Sequence, residues 1–182
     1  MNQVFIINGN GCSGKDSFVS AVMTDIKKNG DEILVLNYSS VTKVKEVAKL
    51  IGWKGEKTER DRKFLSDLKL LTTEYNDMPL EDMKEAVASF YDFAPYTDKI
   101  VFLHVREPQE IDKAKKYFNA KTILVKRDEI EHITSNMADA NVYEYVYDII
   151  IENNKDLDYL QNAIAPSFMD DYLQGNLKGL YN

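Results

Sequence analysis

Cysteine is all but missing from this chain of 182 residues: Cys12 is the only one. An internal disulfide framework is therefore excluded, and the composition fits a reducing compartment. Histidine is nearly as scarce. His104 and His132 have no ligand spacing to each other or to Cys12, so no zinc pattern exists. No apolar run approaches the length of a membrane span. Basic charge is also short, with 23 Lys and Arg against 30 Asp and Glu and a net charge of −7. That balance disfavours long-range attraction to nucleic acid. The first residues run straight into an apolar strand without a signal-peptide pattern, and the chain is expected to be cytoplasmic.

What is present is a hydrophobic content of 44% beside 29% charged residues, the balance of a globular domain with a substantial core. Five short apolar runs read as strands: Val4–Ile7, Ile33–Leu36, Ile100–Leu103, Ile123–Val125 and Ile149–Ile151. They are nearly continuous rather than alternating, which suits a parallel sheet buried on both faces. Helical spacing fills the gaps. Phe18, Val22 and Ile26 form one stripe, and Val44, Val47, Ala48 and Ile51 a second. Phe64, Leu68, Leu71 and Tyr75 form a third, opened by Thr58-Glu59-Arg60-Asp61 at capping-box spacing. Another helix begins near Pro79, and Ile111, Ala114 and Phe118 mark one more.

This alternation predicts an α/β fold: a three-layer α/β/α sandwich on a five-stranded, mostly parallel sheet, in one domain over residues 1–182. The connection from the second strand to the third exceeds a simple crossover and is helical, so residues of about 40–96 are expected to form a helical insert. The tail carries Phe168, Tyr172, Leu177 and Leu180. It docks either on its own body or on a second copy in a homodimer.

The most specific stretch is Gly9-Asn10-Gly11-Cys12-Ser13-Gly14-Lys15-Asp16-Ser17, directly after the first strand and at the start of the first helix. Glycine, four residues, then Gly-Lys is the phosphate-loop pattern, which fits the P-loop NTP hydrolase fold. Glycines let successive N–H groups converge on phosphate oxygens, and the helix adds its N-terminal amides. Lys15 adds a mobile charge. Cys12 reads as a small residue suited to tight backbone. Asp16 stands where a hydroxyl is usual, with Ser17 next; it either offers a carboxylate to Mg²⁺ or simply favours the helix N-terminus.

Ligands of open parallel sheets bind beyond the carboxyl ends of the strands. Two of only four arginines, Arg106 and Arg127, stand at such exits. Their bidentate guanidinium groups suit phosphate. Arg60 and Arg62 open the third helix, where phosphate binding and surface pairing with Asp61 are both open readings. His104 ends the third strand, with Glu107 and Glu110 just beyond it.

Together these elements resemble the phage-type deoxynucleoside monophosphate kinases, within the wider nucleoside monophosphate kinase group. The resemblance runs through Gly14-Lys15-Asp16, then Tyr38-Ser39-Ser40-Val41-Thr42-Lys43-Val44-Lys45 with Ala48-Lys49-Leu50-Ile51-Gly52-Trp53. It continues in Arg60-Asp61-Arg62-Lys63-Phe64-Leu65, Val105-Arg106-Glu107-Pro108-Gln109-Glu110, Ile123-Leu124-Val125-Lys126-Arg127 and Asp148-Ile149-Ile150-Ile151-Glu152-Asn153. The chain departs from the family at His104, where the pattern has Asp, and in the acidic Asp128-Glu129-Ile130-Glu131 that follows Arg127. The resemblance implies ATP and Mg²⁺, with transfer of the γ-phosphate to a nucleoside monophosphate; the acidic balance and the lack of a long apolar run make a nucleic-acid or membrane partner unexpected. It implies that residues 9–17 hold the donor and that Asp16 or Ser17 ligates the metal. Ser39, Lys43, Arg60 and Arg62 would bind the acceptor, and Lys15, Arg106 and Arg127 would act in catalysis. A short lid at about 127–145 would close over the site. Two other readings keep the loop: a kinase of another small phosphorylated metabolite, or a nucleotide-binding regulatory module.

Overall fold

Each predicted strand run extends by a few residues into a strand: β1 Asn2–Asn8, β2 Ile33–Ser39, β3 Asp98–His104, β4 Lys121–Lys126 and β5 Ile149–Glu152. The computed structural model describes residues 2–56, 58–128 and 142–182. Helices lie between: α1 Lys15–Asn29, α2 Thr42–Leu50, α3 Glu59–Asn76, α4 Met78–Phe93 and α5 Pro108–Phe118. A last helix, α6, spans residues 157–173 through a π-helical turn at Leu160–Ile164 and continues as Ala165–Leu173. A final strand, β6, is Leu180–Tyr181.

The strand order is β2-β3-β1-β4-β5-β6. β1 runs parallel to both β3 and β4, β4 to β5, and β5 to β6. Because β3 flanks β1 on one side and β4 on the other, the chain changes direction of travel across the sheet at β1. Its carboxyl end is the topological switch point, where open α/β sheets bind ligands.

Side chains alternate between the two faces of each strand. Phe5 and Ile7 of β1, Phe102 of β3, Val125 of β4 and Ile151 of β5 share one core with Phe18 and Val22 of α1 and Phe168 and Tyr172 of α6. Val4, Ile6, Val101 and Leu103 are equally buried on the opposite face. There α5 packs against β1 and β4 with Ile111 and Ala114 buried. This is the expected three-layer α/β/α arrangement, with the hydrophobic burial of two faces holding the sheet rigid.

Among the described residues the sheet has six strands rather than five. β6 is only two residues long and carries no readable pattern, yet it completes the core. The Tyr181 ring lies 5.6 Å from that of Phe168, which itself packs 5.4 Å from Phe5. The tail thus docks on its own body. Pro166 near the middle of α6 reads as a helix stop, because its ring clashes with the carbonyl four residues back. The wider π-helical turn just before it relieves that clash, and the helix continues.

The chain gathers into two compact units, Met1–Asn37 with Tyr96–Asn182, and Tyr38–Pro95. In the second unit α2, α3 and α4 pack on one another around Val44, Ala48, Met83 and Val87. Thr58 caps α3 as its spacing foretells, its hydroxyl accepting from the Asp61 N–H at 3.2 Å. Asp77, at φ 54°, ends α3 and turns the chain into α4. The Tyr38 hydroxyl donates to Asp82 at 2.9 Å. Burial, with Asp82 adding to it, pushes this phenol up to about 12.

Candidate functional site

The loop between β1 and α1 is built on backbone that only glycine tolerates at two points. Gly9 has φ 152° and Gly14 has φ 95°, and Cys12 also sits in the left-handed region at 62°. A Cβ on Gly9 would run into the carbonyl oxygen of Val125 and lie 2.6 Å from Ser13 Oγ. A Cβ on Gly14 would run into the side-chain amide of Asn153. Gly14 is the N-cap of α1 and supplies no side-chain acceptor, so the first-turn amides of that helix have no side-chain cap. Ser13 Oγ is buried with no hydrogen-bond partner among the described residues. Lys15 folds back over the loop, its ammonium donating to the carbonyls of Gly9 and Asn10 at 2.5 and 2.8 Å. Strand, glycine loop, lysine and helix stand in the arrangement that binds phosphate in P-loop proteins.

Two asparagines hold this loop; motif reading passes over Asn8 and meets Asn153 only as the residue that ends the last strand segment, with no role given to it. Asn8, fully buried at the end of β1, accepts from the Gly9 N–H at 2.8 Å. Its Nδ2 donates to the Arg106 carbonyl at 3.1 Å and to the Tyr147 hydroxyl at 2.8 Å. Asn153, just past β5, donates from Nδ2 to the Ser13 carbonyl at 2.9 Å and from its main chain to the Lys126 carbonyl at 2.8 Å. The available signal was a polar amide at the tip of an otherwise apolar strand, beside a glycine loop.

His104 pairs in register with Ile7, so it ends β3 directly beside the root of the loop. Its Nε2 is 2.6 Å from Asn37 Oδ1 and 3.8 Å from Asp16 Oδ1. Burial pushes the imidazole down to about 4, with Lys15 and Arg106 adding to the shift and Asp16 opposing it. The ring is neutral near pH 7, and as the amide is oriented Nε2–H donates to the Asn37 oxygen. A neutral donor therefore occupies the place where the family resemblance expects an anion.

No protein-family model matches the chain, and no curated protein sequence matches it. Among solved structures it is similar to shikimate kinase from Aquifex aeolicus vf5, at 13% identity and a TM-score of 0.48 over 95% of this chain and 99% of that one. It is also similar to an LAO/AO transport system kinase, at 12% identity and a TM-score of 0.37 over 95% of this chain and 47% of that one. This chain therefore spans about half the length of the second protein.

The first unit brings together Gly9 to Ser17, His104, Arg106 and Arg127 at the carboxyl edge of its sheet. Arg106 is exposed just past β3, and Arg127 is half-buried just past β4. Beside it the Lys126 ammonium pairs with Asp128 at 2.8 Å, and Asn154 donates to Asp128 at 2.7 Å. Ser39, Lys43, Arg60 and Arg62 belong to the second unit. There Lys43 pairs with Glu46 at 3.1 Å, and Arg60 and Arg62 stand exposed on the first turn of α3. Most of the lid expected at about 127–145, together with His132, lies outside the described residues.

Mg²⁺ takes hard oxygens, keeps several waters and binds through one or two carboxylates plus substrate phosphates. Asp16, whose side chain is 90% exposed, and Ser17 fit that donor set at the start of α1. Among the described residues no group of three or more His, Cys, Asp or Glu side chains gathers to hold a metal. Ligation at this edge would thus draw on the donor's phosphates and water.

Proposed function

We propose that the chain is an ATP-dependent kinase that phosphorylates a nucleoside monophosphate, with a deoxynucleotide as the preferred acceptor. The observation that carries this reading is the glycine loop at the switch point, with uncapped helix amides and a lysine folded across it. The choice of acceptor rests on the sequence resemblance through Arg60-Asp61-Arg62 and Val105-Arg106-Glu107-Pro108.

Phosphoryl transfer depends mainly on positioning and on neutralising charge. An oxygen of the acceptor phosphate attacks the γ-phosphorus, the bond to the β–γ bridging oxygen breaks, and ADP leaves. Loop amides and Lys15 hold the donor phosphates, and Asp16 and Ser17 offer oxygens to Mg²⁺. The metal, when bound, neutralises charge on the donor phosphates. Ser39, Lys43, Arg60 and Arg62 are assigned to the acceptor phosphate, while Arg106 and Arg127 balance charge that develops on the transferred group. The attacking oxygen is already ionised, so a strong general base at the end of β3 is dispensable. Neutral His104 is compatible with that chemistry.

One observation favours a second reading. With His104 neutral and Asp16 exposed, the strand end supplies no carboxylate, which suits a module that binds ATP without turnover. Incubation with Mg-ATP and a panel of ribo- and deoxynucleoside monophosphates, following ADP, separates the two. ADP formation that depends on a deoxynucleotide is the expected result. ATP binding without any acceptor-dependent ADP would overturn the kinase reading in favour of the module.

A further inference from the structure

The Asn8 amide uses its polar atoms in a directional set. Its oxygen accepts from Gly9 N–H, and its two N–H groups go to the Arg106 carbonyl and the Tyr147 hydroxyl. Tyr147 in turn donates its own hydrogen to the Val142 carbonyl at 2.9 Å. One buried side chain thus touches the first residue of the phosphate loop, the backbone of the arginine at the end of β3, and the segment that returns to β5. That segment is fixed at two further points: Tyr145 donates to Asp112 at 2.8 Å, and Asp148 accepts from the Thr122 N–H and hydroxyl at 2.8 and 2.9 Å.

We propose that Tyr147 and Asn8 form a positioning unit, in which the phenol anchors the Asn8 amide and that amide holds the phosphate-loop entry and Arg106 in one geometry. The argument is one of donors and acceptors. The Gly9 N–H and the Arg106 carbonyl fix which way the amide faces, since a flip would set an oxygen against that carbonyl and an N–H against that N–H, and Tyr147 holds the amide in place by accepting its second N–H. Without the phenol, one Asn8 N–H is left unsatisfied in a fully buried place, which is costly. The amide can regain a partner for that N–H only by shifting from its place, which loosens its hold on Gly9 and Arg106. Burial holds the phenol up near 12, with Asn8 opposing that shift, so the donor to Val142 persists at any ordinary pH. Neither residue need touch substrate.

The role in ATP positioning rests on the phosphate-loop reading of the site; the effect on phosphoryl transfer rests in addition on the kinase reading. The test uses the full chain, labelled with ¹⁵N, as wild type, Tyr147→Phe and Asn8→Asp. Tyr147→Phe is expected to move the Gly9 and Arg106 amide resonances and to weaken Mg-ATP binding about fivefold, the scale of one buried hydrogen bond. Asn8→Asp is nearly isosteric but cannot donate, and is expected to weaken binding more. Where deoxynucleotide turnover is present, kcat is expected to fall by a similar factor in Tyr147→Phe while the acceptor KM stays within about twofold. A lower Tm in Tyr147→Phe with unmoved Gly9 resonance and wild-type ATP affinity would make the tyrosine merely structural and overturn the proposal. If wild type binds ATP but turns over no acceptor, the kinase reading fails. The resonance and affinity changes still decide the positioning role. If wild type binds no ATP, both readings fall.

Discussion

The side-chain amide of Asn153 donates to the Ser13 carbonyl across 2.9 Å, joining the exit of β5 to the phosphate loop. Asn153 is itself buried, and its amide fills the space that a Cβ on Gly14 would need. Loop shape is therefore held from the side of the sheet as well as by its own glycines.

Replacing this donor tests that support. Asn153→Leu leaves the Ser13 carbonyl buried without its partner, and stability should fall by about 1–3 kcal/mol in urea unfolding. Mg-ATP affinity should weaken in the same variant. Unchanged affinity by calorimetry would show that the loop keeps its shape unaided.

Lys15 tests the site itself. Lys15→Ala removes the charge that covers the Gly9 and Asn10 carbonyls. ATP affinity should fall by at least about tenfold, as expected for a lost charge-assisted contact, with stability changing by less than about 1 kcal/mol. Wild-type binding in that variant would remove the loop from consideration as the donor site.

His104 sets a pH dependence. Its folded-state value, about 4, lies below the ordinary 6.5. The unfolded chain therefore holds more protons in that interval, and stability drops as pH falls from about 6.5 to about 4. The full contribution is on the order of 3 kcal/mol. His104→Gln keeps a donor for Asn37 without a titrating ring, so its unfolding free energy should decline less across that window. Parallel pH profiles for the two proteins would contradict the assignment.

Arg60 and Arg62 test the acceptor side. Each alanine variant should raise the acceptor KM by about tenfold or more and leave ATP affinity within about twofold. Both stand exposed on α3, so folding should be little affected. Loss of ATP binding in a folded variant would argue against their assignment to the acceptor.

Much of this fold is legible because strands buried on both faces carry an unbroken apolar run, and β1, β3 and β4 each do, in Val4–Ile7, Ile100–Leu103 and Ile123–Val125. The phosphate loop is legible for a different reason: Gly9 and Gly14 answer steric demands that admit little else. β6 escapes because two residues carry no period, and α6 because Pro166 mimics a stop. The supports of the site escape for a third reason. Asn8, Asn153 and Asn37 matter through partners far away in the chain, Tyr147, Ser13 and His104, and a linear reading sees the residue type without its partner. His104 was visible as a departure from pattern, but its neutrality follows from burial that only the packed strand end creates.

The aromatic core carries a consequence for how the protein is made. Phe5 packs against Phe168 and Tyr172, residues far from it along the sequence. Contacts of such long sequence separation slow folding, because the intervening chain must be ordered before they form. During synthesis the strand that leads into the phosphate loop emerges well before the aromatic rings of α6 that pack on its face. β1 must therefore wait with the α6 side of its apolar face uncovered, a stretch of exposure during which chaperone binding competes with aggregation.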